Sequence, residues 1–226
     1  MGTAGRSRHA KITAMASQAI HIPHGPARSA HLLQRTRAEW RDSGNDLLLF
    51  AYGSLIWRPD FEFVQALPAR VLGFHRVLRM RSRVNRGSPQ EPGLVLALVS
   101  GGSCRGLVYR VPRDQGEAVL THLWAREMPN GVYEPRWLNC MTPDGRLSAL
   151  AFTLSRQSPN WTGALPEGEL LHIFRHARGR YGTTLDYLLR TVQGLRAHGI
   201  RDLELERQAH LAARHGLCAP LEHASP

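Results

Sequence analysis

The sequence predicts one α+β domain, its strands forming a curved sheet or small barrel with helices packed outside. Two observations carry that expectation. Between residues 47 and 154, short apolar runs alternate with Gly, Pro, Ser and Asp turn signals, and beyond residue 167 apolar residues recur at helical spacing. The chain has 226 residues, 42% hydrophobic and 21% charged, enough for one sizeable core and ordinary for a globular protein.

The elements follow in order. Residues 1–38 hold no Asp or Glu and are rich in Ala, Ser, Arg and His. That composition resembles a transit peptide, but it lacks the continuous apolar stretch of a secretory signal, and a disordered tail is the expectation. A short helix over Arg35 to Arg41 leads into an ordered domain starting near Asp46. Residues 1–45 are therefore expected as a disordered or loosely attached extension, 46–213 as the domain, and 214–226 as a tail.

Leu47 to Tyr52 is a buried strand that runs into a Gly-Ser turn. Further strands are expected at Arg70 to Arg83, Leu94 to Val99, Gly106 to Val111, Glu134 to Met141 and Leu147 to Leu154. Ser100-Gly101-Gly102-Ser103 reads as a hairpin between two of them, and Pro143-Asp144-Gly145 as another turn. Asp114 with Glu117 suggests a capping-box variant opening a helix to Arg126. Helices are also expected over Glu167 to Ala177 and Thr184 to Ala197, the latter with Leu185, Leu188, Leu189, Val192 and Leu195 at helical spacing, and a last one after Asp202.

Composition excludes several functions. No apolar run approaches a membrane span, so no membrane association is expected. Cys104, Cys140 and Cys218 lie far apart with no metal-ligand spacing, which predicts reduced thiols in a cytoplasmic protein and no metal site. The formal net charge of +11 permits nucleic-acid binding. However, Lys11 is the sole lysine, and an arginine bias of that kind is what a GC-rich genome imposes whatever the function. No GxxxxGK[ST], GxGxxG, HExxH or GxSxG motif is present, and the twelve histidines are scattered, with His122 read as packing or surface.

Three segments remain as chemistry. In Phe50-Ala51-Tyr52-Gly53-Ser54-Leu55-Ile56-Trp57, a glycine ending a buried strand lets backbone N–H groups converge on one point, a concavity suited to a carboxylate or phosphate. A plain turn is the competing reading. Glu127 falls on the face of Leu120, Leu123 and Trp124, near a helix C-terminus, and burial and the dipole would both raise its pKa toward that of a general base. It reads equally as a helix-end glutamate paired with Arg126. In the arginine-rich run from His75 to Arg86, Arg79, Arg81 and Arg83 share one face, read mostly as solvated, and Arg86 before Gly87 is placed to reach an anionic substrate.

Together these segments resemble the ChaC-type γ-glutamylcyclotransferases. Phe50 to Phe61 is similar to the signature opening, and the later pieces keep the family's order: Arg86-Gly87-Ser88-Pro89 with Pro92-Gly93, Gly102 to Gly106, Arg126-Glu127, Gly131 to Trp137, and Pro159-Asn160-Trp161-Thr162-Gly163. The resemblance covers about Asp46 to Arg207. It implies a small mixed β-barrel with flanking helices, and conversion of glutathione to 5-oxoproline and cysteinylglycine without cofactor or metal. It also implies substrate binding by Phe50, Ala51, Tyr52, Gly53, Ser54, Leu55 and Arg86, with Glu127 as the acid-base residue. Glutathione is the expected partner, with no specific nucleic acid, and the chain is expected as a monomer or weak dimer. Two positions depart from the pattern: Ser82 stands at a family acidic position, and Phe152 at a family tyrosine. A cyclotransferase for other γ-glutamyl amines and a non-catalytic basic binding module are the alternatives.

Overall fold

The computed structural model describes residues 25–220. Strands β1 (Leu47–Ala51), β2 (Gln65–Ser82), β3 (Gly93–Val111), β4 (Glu134–Thr142) and β5 (Gly145–Thr153) close a barrel in the order β1-β3-β2-β4-β5. The barrel is mixed, as expected. β1 and β3 each meet β5 in parallel, through Leu49↔Leu150 and Leu98↔Thr153, and every other pairing within it is antiparallel. Leu47, Leu49, Leu96, Leu98, Leu107 and Leu150 are fully buried, which gives the wall its apolar filling. Cys104 and Cys140 are buried free thiols.

One turn signal had another meaning. Ser100-Gly101-Gly102-Ser103 makes no hairpin, because β3 runs through it without a break and both halves pair with β2. The register shifts between Leu72 and Phe74, so that Gly101 and Gly102 stand opposite Gly73. All three have positive φ, at 100°, 69° and 81°. Left-handed glycines on both strands bend the ladder at one place, and the long β2–β3 ribbon folds over to help close the barrel.

Helix α1 (Pro26–Ser43) also corrects the expectation of a short helix over Arg35 to Arg41 and a fold starting near Asp46. It starts with proline in its first turn and ends at Gly44 in the left-handed region. Ser29, Leu32, Thr36 and Trp40 form its buried stripe. Only residues 1–24 of the expected extension lie outside the described residues.

α1 packs on α2 (Arg113–Glu127) with its Trp40 ring against Gly116, where an added Cβ would stand 2.3 Å from Trp40 Cζ2. Gly116→Ala should therefore push α1 outward and cost about 1–3 kcal/mol. A melt should show this as a fall of roughly 2–4 °C per kcal/mol in a chain of this size. An unchanged Tm would mean that this contact is slack. The capping box expected at Asp114 and Glu117 is absent. Pro112 is the N-cap, and Glu117 instead pairs with Arg37 at 2.6 Å and Arg41 at 2.8 Å. The reciprocal capping box lies at Thr183 and Asp186, opening α4 (Thr184–Ala197), which spans the expected residues.

The remaining elements are α3 (Glu167–His176), the two-residue strands β6 (Arg178–Gly179) and β7 (Gly182–Thr183), and α5 (Leu203–Arg214). Leu217 and Cys218 still pack against the core, so the expected tail begins later than 214, and residues 221–226 lie outside the described residues.

Candidate active site

At the end of β1 the chain leaves the barrel wall and turns. Tyr52 is held from both ends: Arg76 Nη1 donates to its carbonyl at 2.8 Å, and its own hydroxyl donates to Phe152 O at 2.7 Å. The arginine is buried and ion-paired to Asp202 at 2.8 Å, so a member of the run read as solvated supports the turn from beneath. Ser54–Ile56 then form a single 3₁₀ turn. Its first N–H groups, those of Ser54 and Leu55, make no hydrogen bond among the described residues, as the geometry of a helix start requires.

Glu127 closes α2 and reaches the same place. Its side chain is 19% exposed and lies 3.0 Å from Arg126 Nε. Burial raises its pKa, and the Arg126 charge and hydrogen bond offset this only in part. Arg126 also donates to Ser54 Oγ at 2.9 Å and pairs with Asp60 at 3.0 Å. One guanidinium thus ties the carboxylate to the turn. The ion-pair reading and the acid-base reading of Glu127 are therefore compatible.

Three phenols surround this carboxylate. Tyr133 Oη donates to Leu96 O at 3.3 Å, and Tyr187 Oη accepts from Leu96 N at 3.4 Å. Burial pushes Tyr187 up to about 12, and it raises Tyr52 and Tyr133 well above the ordinary value. The Glu127 charge adds to each shift, so all three stay neutral hydroxyls at physiological pH. The resulting pocket is lined by Phe50, Tyr52, Gly53, Ser54, Leu55, Leu96, Glu127, Tyr133, Phe152 and Tyr187.

A larger cavity, about 510 Å³ against about 30 Å³, lies between α1 and the β4–β5 edge. Size does not decide between them. In the larger one, Glu39 already accepts from Trp137 Nε1 at 2.9 Å and Asp46 from Arg113 N at 3.0 Å. In the smaller one, a carboxylate with a raised pKa meets neutral hydroxyls and unbonded amides, which is the arrangement catalysis needs.

The structure brings Phe50, Tyr52, Gly53, Ser54, Leu55 and Glu127 together around the pocket; Ala51 and Arg86 stand outside its lining. Ala51 is wholly buried in the barrel wall. Arg86 is buried behind Tyr187, 5.1 Å from its ring, and donates to the carbonyls of Tyr181 and Thr183. It braces the β6–β7 hairpin. Ser82 Oγ accepts from Arg86 N at 3.0 Å, so this departure position shapes the loop and does not line the pocket. Phe152 does line it, with its ring 5.7 Å from Trp124 and 6.3 Å from Tyr133.

Sequence reasoning missed Tyr187, Tyr133 and Leu96. Tyr187 had a signal: Thr184, Tyr187 and Thr191 are buried at helical spacing beside the leucine stripe of α4. A polar row on a buried face implies partners inside the fold.

Residues 47–214 match a family model described as ChaC-like protein. The glutathione-specific γ-glutamylcyclotransferase of Escherichia coli (strain K12) is 35% identical over 155 residues, covering 68% of this chain and 67% of that protein. Glutathione-specific γ-glutamylcyclotransferase 1 of Homo sapiens is 33% identical over 172 residues, covering 74% and 76%. Among solved structures, the glutathione-specific γ-glutamylcyclotransferase from yeast superposes with a TM-score of 0.68 at 18% identity, covering 76% of this chain and 97% of that one. At that identity the likeness speaks for the fold.

Proposed function

The chain belongs to the ChaC-like family, and from that premise we propose that it is a glutathione-specific γ-glutamylcyclotransferase with Glu127 as its acid-base residue. The observation that carries the reading is the meeting of the Glu127 carboxyl with the Ser54–Ile56 turn at the mouth of the barrel. In a γ-glutamyl peptide the nucleophile and the electrophile belong to one molecule. The α-amine must attack the γ-carbonyl to close a five-membered ring, and folding the chain supplies most of what is needed. Well-oriented intramolecular reactions reach effective molarities of about 10⁵ to 10⁸ M.

The amides of Ser54 and Leu55 bind the α-carboxylate, which swings the ammonium toward Glu127. Glu127 takes a proton from the ammonium. The amine then bonds to the γ-carbon, and the bond to the cysteinyl nitrogen breaks. Two protons pass from the ammonium to the departing nitrogen in all, and one carboxyl can carry them in turn. The products are 5-oxoproline and cysteinylglycine. The neutral hydroxyl of Tyr187 accepts from Leu96 N and keeps its proton free to donate to charge developing on the carbonyl oxygen, whereas the protons of Tyr52 and Tyr133 are taken by Phe152 O and Leu96 O.

Among the described residues no helix is long and apolar enough to cross a membrane. We place the reaction in the cytoplasm, where free thiols such as Cys104 and Cys140 stay reduced. The test is to incubate the purified protein with glutathione, and in parallel with γ-glutamylcysteine and γ-glutamylalanine, and to measure 5-oxoproline and the released amine. Turnover of glutathione well above the other two is expected. Equal turnover of all three would replace glutathione specificity with a broader γ-glutamyl amine specificity.

A further inference from the structure

The two acid-base and hydroxyl groups at the pocket, Glu127 and Tyr133, flank a connection of five residues, 128–132, that belongs to neither α2 nor β4. Such a connection is free to shift unless something holds it. Met128 N donates to Trp124 O at 2.8 Å and Gly131 N to Met128 O at 3.1 Å, and the first turn of α1 fastens the segment from outside. Arg28 Nη1 donates to Tyr133 O at 3.2 Å and also to Gly131 O. Ser29 Oγ donates to Met128 O, and the Ser29 carbonyl and hydroxyl both accept from Trp124 Nε1 at 3.1 Å. Backbone contact is equally close, for a Cβ on Gly131 would lie 3.0 Å from Ser29 N. Trp124 in turn lies edge-on to Phe152, whose carbonyl holds the Tyr52 hydroxyl. Two adjacent residues thus fasten both ends of the connection and the helix turn that presents Glu127.

α1 lies outside the segment that matches the family model, which begins at residue 47. We propose that Arg28 and Ser29 are positioning residues for the cyclisation, clamping residues 128–133 so that the Glu127 carboxyl and the Tyr133 hydroxyl face the substrate in register. This rests on the reading of Glu127 and Tyr133 as parts of the active site. The clamp touches no substrate. Its loss should lower kcat and leave KM nearly alone, because the α-carboxylate is held on the other side of the pocket by the turn after β1.

The control lies at the far end of the same helix pair, where Arg37 and Arg41 bind Glu117. Arg37→Ala with Arg41→Ala weakens the docking of α1 without touching the clamp. In the full chain, Arg28→Ala and Ser29→Ala should each lower kcat for glutathione about 10- to 100-fold, the range for a misplacement of up to about an ångström. KM should stay within about twofold. Arg28→Lys, which keeps a donor, should recover most of the rate. Amide hydrogen exchange over residues 128–133 should quicken in the Ala variants and stay slow in the Arg37/Arg41 control. Unchanged kcat in both Ala variants, or an equal fall in the control, would overturn the proposal. So would unchanged exchange over 128–133, a readout that holds whatever the wild-type activity. A wild-type protein inactive on glutathione would instead overturn the reading of the reaction.

Discussion

Glu127→Gln should turn over glutathione at least about 10³- to 10⁴-fold more slowly than the wild type, at the upper end of what acid-base help contributes, since among the described residues no second carboxylate lines the pocket. KM should change little, because the amide side chain keeps the shape and can still meet Arg126. Stability should not fall, and the sign can be worked out. Burial raises the folded-state pKa of Glu127, against the smaller opposing effect of Arg126. A group with a raised folded pKa stabilises the fold at pH values below its unfolded pKa, and that contribution disappears as pH rises through the folded pKa. At pH 8 the ionised carboxylate is therefore a net cost that glutamine does not carry. The Gln variant should melt at or above the wild-type temperature at pH 8, and the difference should narrow toward pH 4. The same shift places the acid limb of wild-type kcat/KM, which reports the free enzyme, above the ordinary glutamate value of 4.5. A folded Gln variant retaining more than about a tenth of wild-type kcat would remove Glu127 from the proton path.

The parts of the fold legible in the sequence were those with strong periodicity. The leucines of α4 predicted its bounds, and the apolar run of β1 predicted a strand ending in a turn. What escaped notice has physical causes. α1 buries Ser29 and Thr36 beside Leu32 and Trp40, so half of its inner stripe is hydroxyl and no apolar period stands out. Pro26 and Gly44 at its ends were the readable signals. The paired glycines at 101 and 102 suit a hairpin or a bulge equally, and only the presence of Gly73 on the facing strand decides between them. Asp114 and Glu117 satisfied a capping pattern, yet Glu117 found Arg37 and Arg41 on a neighbouring helix, and a tertiary ion pair replaced a local one.

The site divides in the same way. Residues contiguous along the chain, from Tyr52 to Leu55, could be read as a unit, and Glu127 stood out as a carboxylate on an apolar face. Tyr133 and Tyr187 come from a loop end and a distant helix, and their hydroxyls meet only because the barrel brings Leu96 between them. Arg86 misled for a related reason. Its position in a loop before Gly87 suggested reach toward an anionic substrate, but the β6–β7 hairpin folds over it and takes up its Nη1 donor.

Gly53 offers the other large effect. Its φ of −133° lies outside the left-handed region, and a side chain there would compete for space with its neighbours. An added Cβ would stand 3.1 Å from Tyr187 Oη and 3.7 Å from Leu96 Cβ, so further carbons would crowd the pocket that these residues line. Gly53→Val should therefore cost about 10²-fold or more in kcat/KM. Its destabilisation should be limited to about 1–3 kcal/mol, the range for overpacking. Gly53→Ala should fall between, since Tyr187 can yield a few tenths of an ångström. The loss should sit in substrate binding, unlike that of Glu127→Gln. Competition kinetics with two truncated analogues test the same geometry from the ligand's side. Glutathione without its glutamyl α-carboxylate should be neither substrate nor inhibitor, because the turn amides then have no anion to hold. Glutathione without the glycine carboxylate should still compete, since that end lies away from the turn. If the analogue lacking the α-carboxylate competes as well as glutathione, the turn after β1 does not hold the anion, and Gly53→Val would then act only by crowding Tyr187.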